Sequence, residues 1–360
     1  MAKPGRGSLH CREWKGVLGG FLVFAGMLAG QAGAGDIGPA KVVRREISVA
    51  LIGVERPSLP VGRRAEAVDA IGHWTRAMDR EAPNRPDLFV LPEGVESFLC
   101  MTPAQKREYV LRRGTAVVDA FREYARKHAA YVVFNTYRQV SGNGFANCTY
   151  VVDRAGEVVG LYDKMYPTPG EIGWKDFPVV PGKAPLVVET DFGRIGFLTC
   201  FDLNFNALMD AYREARPDIL CFCSAFHGDF RQREWAAQCQ ATFIGATVGA
   251  RQKDVWGPCG EPLAHSQDYF RTLTVKVNTN CRVAHLDGNY TPLANLVKAY
   301  GARVEVRNAG SLGRVTVLSK DPSLSVEALF DEFGIERWSD YYARSVRIRD
   351  EAAKGDGDAK

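Results

Sequence analysis

Short, continuously apolar runs alternate with amphipathic segments along most of this chain, and that alternation is its strongest constraint on the fold. The clearest runs are Ile47–Val54, Asp87–Leu91 and Ile219–Cys223. A strand that is apolar along its whole length has both faces buried. Arg63–Arg80 and Asn206–Glu214 instead carry apolar residues at helical spacing. Strands that alternate with helices in this way predict an α/β sandwich.

The remaining elements fit one large domain. We predict that residues 45–320 form this domain and that residues 321–360 form a helical or irregular C-terminal tail. The other predicted elements are a helix at Tyr109–His128, a strand at Ala130–Phe134, a hairpin of Thr149–Asp153 with Glu157–Tyr162, a strand pair of Leu186–Thr190 with Arg194–Cys200, a helix at Arg231–Ile244 and a strand at Ala246–Ala250.

The formal net charge of +4 resides mostly near the N-terminus. Residues 1–34 contain Lys3, Arg6, Arg12 and Lys15 against the single acid Glu13, so the remainder is close to neutral. The remainder also has no stripe of basic residues with interleaved aromatic ones. We therefore predict no nucleic-acid partner.

The same N-terminal segment has the three parts of a secretory signal. Met1–Lys15 is polar and positive, Gly16–Gly30 is uncharged and apolar, and Ala32-Gly33-Ala34 offers small residues for cleavage. This pattern predicts export to the periplasm or the extracellular space after removal of residues 1–34. The alternative is an uncleaved membrane anchor, although the strongly apolar part is shorter than the about 20 residues that a spanning helix needs.

Nine cysteines occur in the chain, and eight remain after the predicted cleavage. An exported protein can form disulfides among them, but the sequence does not reveal the pairing. No Cys-x-x-Cys pair exists, and the six histidines are scattered. We therefore predict no metal site.

Three polar residues come directly after apolar strands, each beside a turn signal. Glu93 lies in LFVLPEG, Lys164 in LYDKMYPTPGE and Cys200 in RIGFLTCFDLNF. Such positions commonly hold the reactive groups of α/β folds. Burial raises the pKa of a carboxylate towards that of a general base. A lysine can neutralise an oxyanion, and a cysteine before a helix has its thiolate favoured.

Each of these residues also has an ordinary interpretation when it is taken alone. Glu93 could be an exposed loop glutamate, Lys164 a solvated cation and Cys200 a buried, inert cysteine. Glu171, seven residues after the lysine, could orient it or contact a substrate. Asp202 must face solvent or be paired. The case for chemistry therefore rests on the combination of these residues.

That combination, in this order, closely resembles the carbon–nitrogen hydrolase (nitrilase) superfamily over residues 46–290. VLPEG is similar to the glutamate motif, YDKMYPTPGE to the lysine motif and IGFLTCFD to the nucleophile motif of that superfamily. The resemblance implies Glu93 as base, Lys164 as catalytic lysine, Glu171 as second glutamate and Cys200 as nucleophile. It also implies an αββα sandwich of two mixed sheets flanked by helices, usually paired with another copy of the chain.

The resemblance further implies a mechanism that needs no cofactor and no metal. Cys200 attacks an amide carbon after Glu93 removes the thiol proton. Lys164 and the backbone N–H of Phe201 stabilise the oxyanion, and water then hydrolyses the thioester. Cys200 must stay reduced for this chemistry, so we predict that it forms no disulfide.

The residues after the nucleophile favour one branch of the superfamily. Nitrile-cleaving members usually have Trp-Glu there, whereas Phe201-Asp202 is more similar to amidases and carbamoylases. We therefore predict a small amide or carbamoyl substrate. The alternatives are nitrile hydrolysis, acyl transfer to an amine, and a catalytically silent binding protein of the same fold. Asn143 and Asn147 precede a predicted strand and could approach the site, but a turn role is the expected one for both.

Overall fold

The computed structural model describes residues 43–355 except 60–61, 99–100, 141, 268, 309 and 311. The predicted leader at residues 1–34 lies outside these residues. The strands, in chain order, are β1 (Glu46–Ile52), β2 (Leu88–Val90), β3 (Tyr131–Gln139), β4 (Phe145–Val152), β5 (Val158–Asp163), β6 (Val187–Thr190), β7 (Gly193–Thr199), β8 (Ile219–Ser224), β9 (Thr242–Thr247), β10 (Asp254–Trp256), β11 (Pro262–His265), β12 (Thr272–Asn278), β13 (Cys281–His285), β14 (Val304–Asn308) and β15 (Arg314–Ser319).

Helices alternate with these strands along the chain. They are α1 (Ala67–Glu81), α2 (Pro103–Arg113), α3 (Ala116–His128), α4 (Pro169–Gly173), α5 (Asn206–Ala215), α6 (Phe230–Cys239), α7 (Tyr290–Tyr300), α8 (Val326–Phe333) and α9 (Trp338–Gly355), with short 3₁₀ helices at Ala82–Asn84, Cys200–Asn204 and Gly301–Arg303.

Two six-stranded mixed sheets form the centre of the molecule. Their orders are β12-β1-β2-β3-β4-β5 and β11-β10-β9-β8-β7-β6. In each sheet two neighbouring pairs are parallel, β1–β2 and β2–β3 in the first and β7–β8 and β8–β9 in the second. The other pairs in both sheets are antiparallel. The two sheets therefore share one pairing pattern.

Apolar side chains fill three successive layers of this arrangement. One cluster lies between the sheets and includes Val49 and Phe197. A second joins the first sheet to α1 and α3 through Trp74 and Phe121, and a third joins the second sheet to α5 and α6. The predicted αββα sandwich is therefore confirmed. A three-stranded sheet, β13-β15-β14, packs with α7 and α8 around a separate cluster.

Several predicted boundaries were wrong. The helix expected at Tyr109–His128 is two helices, because Gly114 between them has φ +55° and interrupts the helical backbone. The helix expected at Arg231–Ile244 ends at Cys239, where Gln240 is left-handed with φ +52°. The strand expected at Ala246–Ala250 runs from Thr242 to Thr247, because pairing with β8 begins at Thr242.

Candidate active site

Glu93 follows β2 in a tight turn that buries its side chain. Gly94 has φ +71°, and a Cβ atom there would lie 2.5 Å from Ser97 Oγ, so the turn requires glycine. The Gly94 N–H donates to Asn135 Oδ1 at 2.8 Å. The turn thus directs Glu93, which is only 6% exposed, into the protein interior.

Lys164 follows β5 and lies between two carboxylates. Its side chain is 1% exposed. The Nζ atom donates to Glu93 Oε1 at 3.0 Å and to Glu171 Oε2 at 2.9 Å. Burial alone would lower the pKa of Lys164, but the Glu93, Cys200 and Glu171 groups raise it above its ordinary value. Lys164 is therefore a permanent cation in the site.

The short helix α4 positions Glu171. Thr168 precedes the helix, and its Oγ1 accepts from the Glu171 N–H at 3.2 Å. In return the Thr168 N–H donates to Glu171 Oε2 at 2.8 Å, which completes a capping box. The same Oε2 accepts from Lys164, so the helix start locks the second glutamate against the lysine.

Cys200 occupies a sharp turn between β7 and the 3₁₀ helix Cys200–Asn204. Its φ of +50° is left-handed, a strained conformation for a residue with a Cβ atom. The buried Asp202 carboxylate stabilises this turn by accepting from the Thr199 N–H at 2.9 Å. It also accepts from the Tyr162 hydroxyl at 2.7 Å and the Tyr166 N–H at 2.8 Å. Asp202 therefore joins the cysteine turn to the segment that carries the lysine.

Asn147 is part of the site, and the predicted turn role is wrong for this residue. It lies in β4 with no exposed surface, because the strand begins at Phe145 and not at Thr149. Its Nδ2 donates to Glu93 Oε1 at 2.9 Å and to Glu171 Oε1 at 3.1 Å. Asn143, by contrast, is exposed and accepts from Arg107 at 3.2 Å.

A chain of buried polar side chains supports Asn147 from the far side. Asn135 Nδ2 donates to Asn147 Oδ1 at 2.8 Å and to Thr149 Oγ1 at 3.1 Å. Thr149 and Thr199 share a hydroxyl hydrogen bond of 3.1 Å between the two sheets. Because Thr199 precedes Cys200, this chain extends from the Glu93 turn to the cysteine turn.

The charges around Glu93 reverse the predicted direction of its pKa shift. Burial raises the pKa of Glu93, but the Lys164 charge and hydrogen bonds from Lys164, Asn147 and Cys200 outweigh it. The net pKa of Glu93 lies below its ordinary value of 4.5. The Ala225 N–H also donates to Glu93 Oε2 at 3.2 Å. The glutamate is therefore ionised near neutral pH and available to accept a proton.

The thiol of Cys200 also differs from expectation. Burial, followed by the negative charge of Glu93, raises the pKa of Cys200 to about 12, although Lys164 and the Ala225 N–H act in the opposite direction. The side chain therefore rests as a thiol and not as the favoured thiolate. Phe201 follows in the first turn of the 3₁₀ helix, where an N–H group has no partner within the helix.

Three further observations apply to the part of the chain that the structure describes. Seven cysteines lie there, including Cys200, and all are free thiols. No group of three or more His, Cys, Asp or Glu side chains there could hold a metal ion. None of the described helices is both long enough and apolar enough to cross a membrane.

The part of the chain that carries these motifs also matches the model of a known protein family. Residues 49–248 match the model of the family described as "Carbon-nitrogen hydrolase", which covers more than half of the chain. The chain belongs to the carbon–nitrogen hydrolase family. This match includes Glu93, Lys164, Glu171 and Cys200 and ends in the loop after β9.

Relatives of this carbon–nitrogen hydrolase include proteins named as amidases. It is 29% identical over 224 residues to the chloroplastic omega-amidase of Arabidopsis thaliana, a segment that covers 55% of this chain and 60% of the relative. It is 24% identical over 185 residues to the deaminated glutathione amidase of Yersinia enterocolitica, with 44% and 64% covered. The matched segments thus span about three fifths of these relatives.

Solved structures share the fold at low sequence identity. An amidase from Nesterenkonia sp. has a TM-score of 0.57 and 19% identity, covering 67% of this chain and 94% of that one. A carbon–nitrogen hydrolase from Helicobacter pylori G27 also has a TM-score of 0.57, with 18% identity and 66% and 90% covered. Both likenesses concern the architecture of the sandwich.

Proposed function

We propose that this protein hydrolyses the carbon–nitrogen bond of a small amide, with Cys200 as nucleophile. The observation that carries the proposal is the single buried network in which Lys164 and Asn147 bridge Glu93 and Glu171. The Cys200 thiol faces the same Glu93 carboxylate. A base, a cation and a nucleophile in contact are the parts that acyl transfer through a thioester needs.

In the proposed first step, Glu93 accepts the thiol proton as the sulfur attacks the amide carbon. Because the resting pKa of Cys200 is about 12, proton transfer accompanies the attack and does not precede it. The carbonyl oxygen becomes an oxyanion that the Lys164 ammonium and the Phe201 N–H stabilise. The carbon–nitrogen bond then breaks, and the protonated Glu93 gives its proton to the leaving nitrogen.

In the second step, Glu93 removes a proton from water, and the resulting hydroxide attacks the thioester carbon. The same cation and N–H group stabilise the second oxyanion. The carbon–sulfur bond breaks, a carboxylic acid leaves, and Glu93 returns its proton to the sulfur. Glu171 takes no proton in this scheme, since its role is to hold Lys164 through the 2.9 Å bond.

Amides are the proposed substrates in preference to nitriles. The support is the Phe201-Asp202 pair after the nucleophile, together with the amidase names of the relatives from Arabidopsis and Yersinia. Nitrile hydrolysis and acyl transfer to an amine use the same side chains. They are therefore outcomes that the experiment must separate.

The experiment measures products from a panel of small amides and matching nitriles. We expect ammonia and carboxylate from the amides, and loss of both products in Cys200→Ala. Cys281→Ala is the matched control, because this cysteine lies in the three-stranded sheet. Added hydroxylamine tests for transfer, since hydroxamate formed in place of the carboxylate would favour an acyltransferase. Full activity of Cys200→Ala would refute the proposed mechanism.

We also propose export and self-association for this hydrolase. The support is the three-part N-terminal pattern and, for assembly, the pairing usual in the family that the chain resembles. N-terminal sequencing of the protein recovered outside the cytoplasm should begin at Gly35. A mature protein that starts at Met1 contradicts cleavage, and a monomeric mass in light scattering contradicts self-association.

A further inference from the structure

Two cations lie beside the candidate active site without taking part in its network. Arg56 follows β1, and its guanidinium is 3.6 Å from the point where a Cβ atom on Gly94 would lie. Lys106 lies on α2 with its Nζ 4.6 Å from the ring centroid of Trp174, the residue directly after α4. The two cations therefore flank the elements that carry Glu93 and Glu171.

Neither cation has an acidic partner among the described residues. No carboxylate there lies within 4.0 Å of the Arg56 guanidinium or the Lys106 ammonium. The Nε atom of Arg56 is buried and donates no hydrogen bond within the described part of the chain. Lys106 Nζ instead faces two aromatic rings, with Tyr137 at 5.5 Å. Buried donors and charges are normally satisfied, so both side chains lack a partner that a ligand could supply.

The two cations also repel each other. Burial lowers the pKa of Lys106, and the positive charge of Arg56 lowers it further, against the opposing effect of Glu171 and Glu93. Glu93, Glu171 and Lys164 together carry a net charge of −1. With Arg56 and Lys106 included, the region carries +1. One negative charge placed between the two cations would remove the repulsion and neutralise the region.

We propose that Arg56 and Lys106 bind a carboxylate of the substrate, so that the enzyme acts on amides that carry a second, anionic end. This inference rests on the proposed function. Monoamides of short dicarboxylic acids are the simplest compounds of this class. A carboxylate fits better than a phosphate, because the excess charge is +1 and the planar guanidinium matches a carboxylate. Trp174 and Tyr137 provide the apolar wall beside it.

The competing interpretation is that these cations only balance the two glutamates. In that case their removal would change the hydrolysis of charged and uncharged amides alike. Carboxylate recognition predicts a selective effect, because a neutral substrate makes no contact with the guanidinium. The ratio of kcat/KM for an anionic amide to that for a neutral amide therefore distinguishes the two interpretations.

The test compares succinamate and glutaramate with butyramide and valeramide. We expect wild type to favour the anionic amides by at least about tenfold, and Arg56→Gln to reduce this ratio by about tenfold or more. Lys106→Gln should reduce it less, because an ammonium group does not offer the bidentate fork of a guanidinium. Lys127→Gln, on the exposed face of α3, is the matched control and should keep the wild-type ratio. An equal preference in wild type, or a ratio unchanged in Arg56→Gln, would overturn the proposal.

A binding measurement separates this inference from the proposed function. Calorimetry with Cys200→Ala should detect succinamate more strongly than butyramide, and Arg56→Gln in the same background should remove the difference. Selective binding of succinamate without any turnover by wild type would contradict the proposed hydrolysis and support the carboxylate site. Turnover of charged and neutral amides at equal rates would support hydrolysis and contradict the carboxylate site.

Discussion

Glu93 and Glu96 are two buried carboxylates on one loop, and their pKa values shift in opposite directions. Both are less than 7% exposed, and each lies beside one cation. Glu93 contacts Lys164 at 3.0 Å, and Glu96 Oε1 lies 2.6 Å from Arg113 Nε. Burial raises the pKa of both groups. It is outweighed at Glu93, whose pKa is lowered, but it prevails at Glu96, whose pKa is raised.

The difference between the two regions lies in what each carboxylate holds. Glu93 is surrounded by groups that belong to the proposed chemistry, including the Cys200 thiol. Glu96 instead connects its loop to α2 and β3, through the Tyr109 hydroxyl at 3.0 Å, Arg113 and the Thr136 hydroxyl. A buried ion pair alone therefore does not identify a catalytic carboxylate. Contact with a nucleophile and a net ionised state are the distinguishing features.

The largest expected effect compares Glu93→Gln with Glu96→Gln. Glu93→Gln removes the only proposed proton acceptor, so we expect amide turnover to fall by about a thousandfold. Glu96→Gln should retain turnover within about tenfold and lose thermal stability instead, since removing one member of a buried pair is destabilising. Steady-state rates and thermal melting check both variants. Equal losses of turnover in the two variants would erase the functional distinction between the carboxylates.

The second expected effect concerns stability at the Glu96 region. Arg113→Met leaves a buried carboxylate without its cation and should lower the free energy of unfolding by about 3–5 kcal/mol. Because the Arg113 charge lowers the pKa of Glu96, its removal raises that pKa further, and ionising the carboxylate then costs more in the variant than in wild type. The loss should therefore grow as pH rises above the ordinary value of 4.5. Urea unfolding at pH 5 and pH 8 measures it.

Arg122→Met is the matched control for this measurement. Its guanidinium is half-buried and pairs with the exposed Glu157 at 2.9 Å. An exposed pair contributes at most about 1 kcal/mol. The account of the Glu96 pair is contradicted if Arg113→Met loses no more unfolding free energy than Arg122→Met. It is also contradicted if the loss in Arg113→Met becomes smaller as pH rises.

The sequence predicted those parts of the molecule that depend on local pattern. Buried strands are apolar over several consecutive residues, so the runs around Val49, Phe89 and Cys221 revealed the strands of both sheets. Glu93, Lys164 and Cys200 each follow an apolar strand, a position that commonly holds the reactive groups of α/β folds. The family motif added Glu171, whose place in a capping box is also a local signal.

Features that depend on contacts between distant segments of the chain could not be predicted from the sequence. The sequence favours a turn role for Asn147 because asparagine is common in turns, whereas the start of β4 is determined by its pairing with β3. The sequence predicts a helix across Thr242 because its apolar residues extend a helical pattern, and only the pairing with β8 identifies this segment as a strand. The signs of the Glu93 and Cys200 pKa shifts depend on donors from several separate segments.

A third buried carboxylate, Asp202, extends the comparison, because it accepts hydrogen bonds but pairs with no cation in the described part of the chain. Burial raises the pKa of Asp202 to about 6 from 3.8 despite those hydrogen bonds. The folded protein therefore holds a proton that the unfolded chain releases, and stability falls as pH rises from about 4 to 6. A shift of about two pKa units corresponds to up to about 3 kcal/mol.

Asp202→Asn tests this account. The stability advantage of wild type over the variant should shrink by up to about 3 kcal/mol between pH 4 and pH 7, because asparagine does not titrate. Tyr162→Phe, which removes the 2.7 Å donor, should move the midpoint of this change to higher pH. Denaturant unfolding across that range measures both. A constant difference between wild type and Asp202→Asn contradicts the raised pKa.

The smallest expected effect concerns Asn147, which we regard as a positioning residue that acts through Glu93. Asn147→Ala removes a 2.9 Å donor to the carboxylate, so we expect kcat to fall by about tenfold. It also removes one cause of the lowered pKa of Glu93, so the acid limb of the kcat/KM profile should move to higher pH. Asn143→Ala, at the exposed turn, should change neither quantity. A loss of kcat without movement of the acid limb would mean that Asn147 only packs β4. In that case Lys164 and the Cys200 thiol would account for the difference between Glu93 and Glu96.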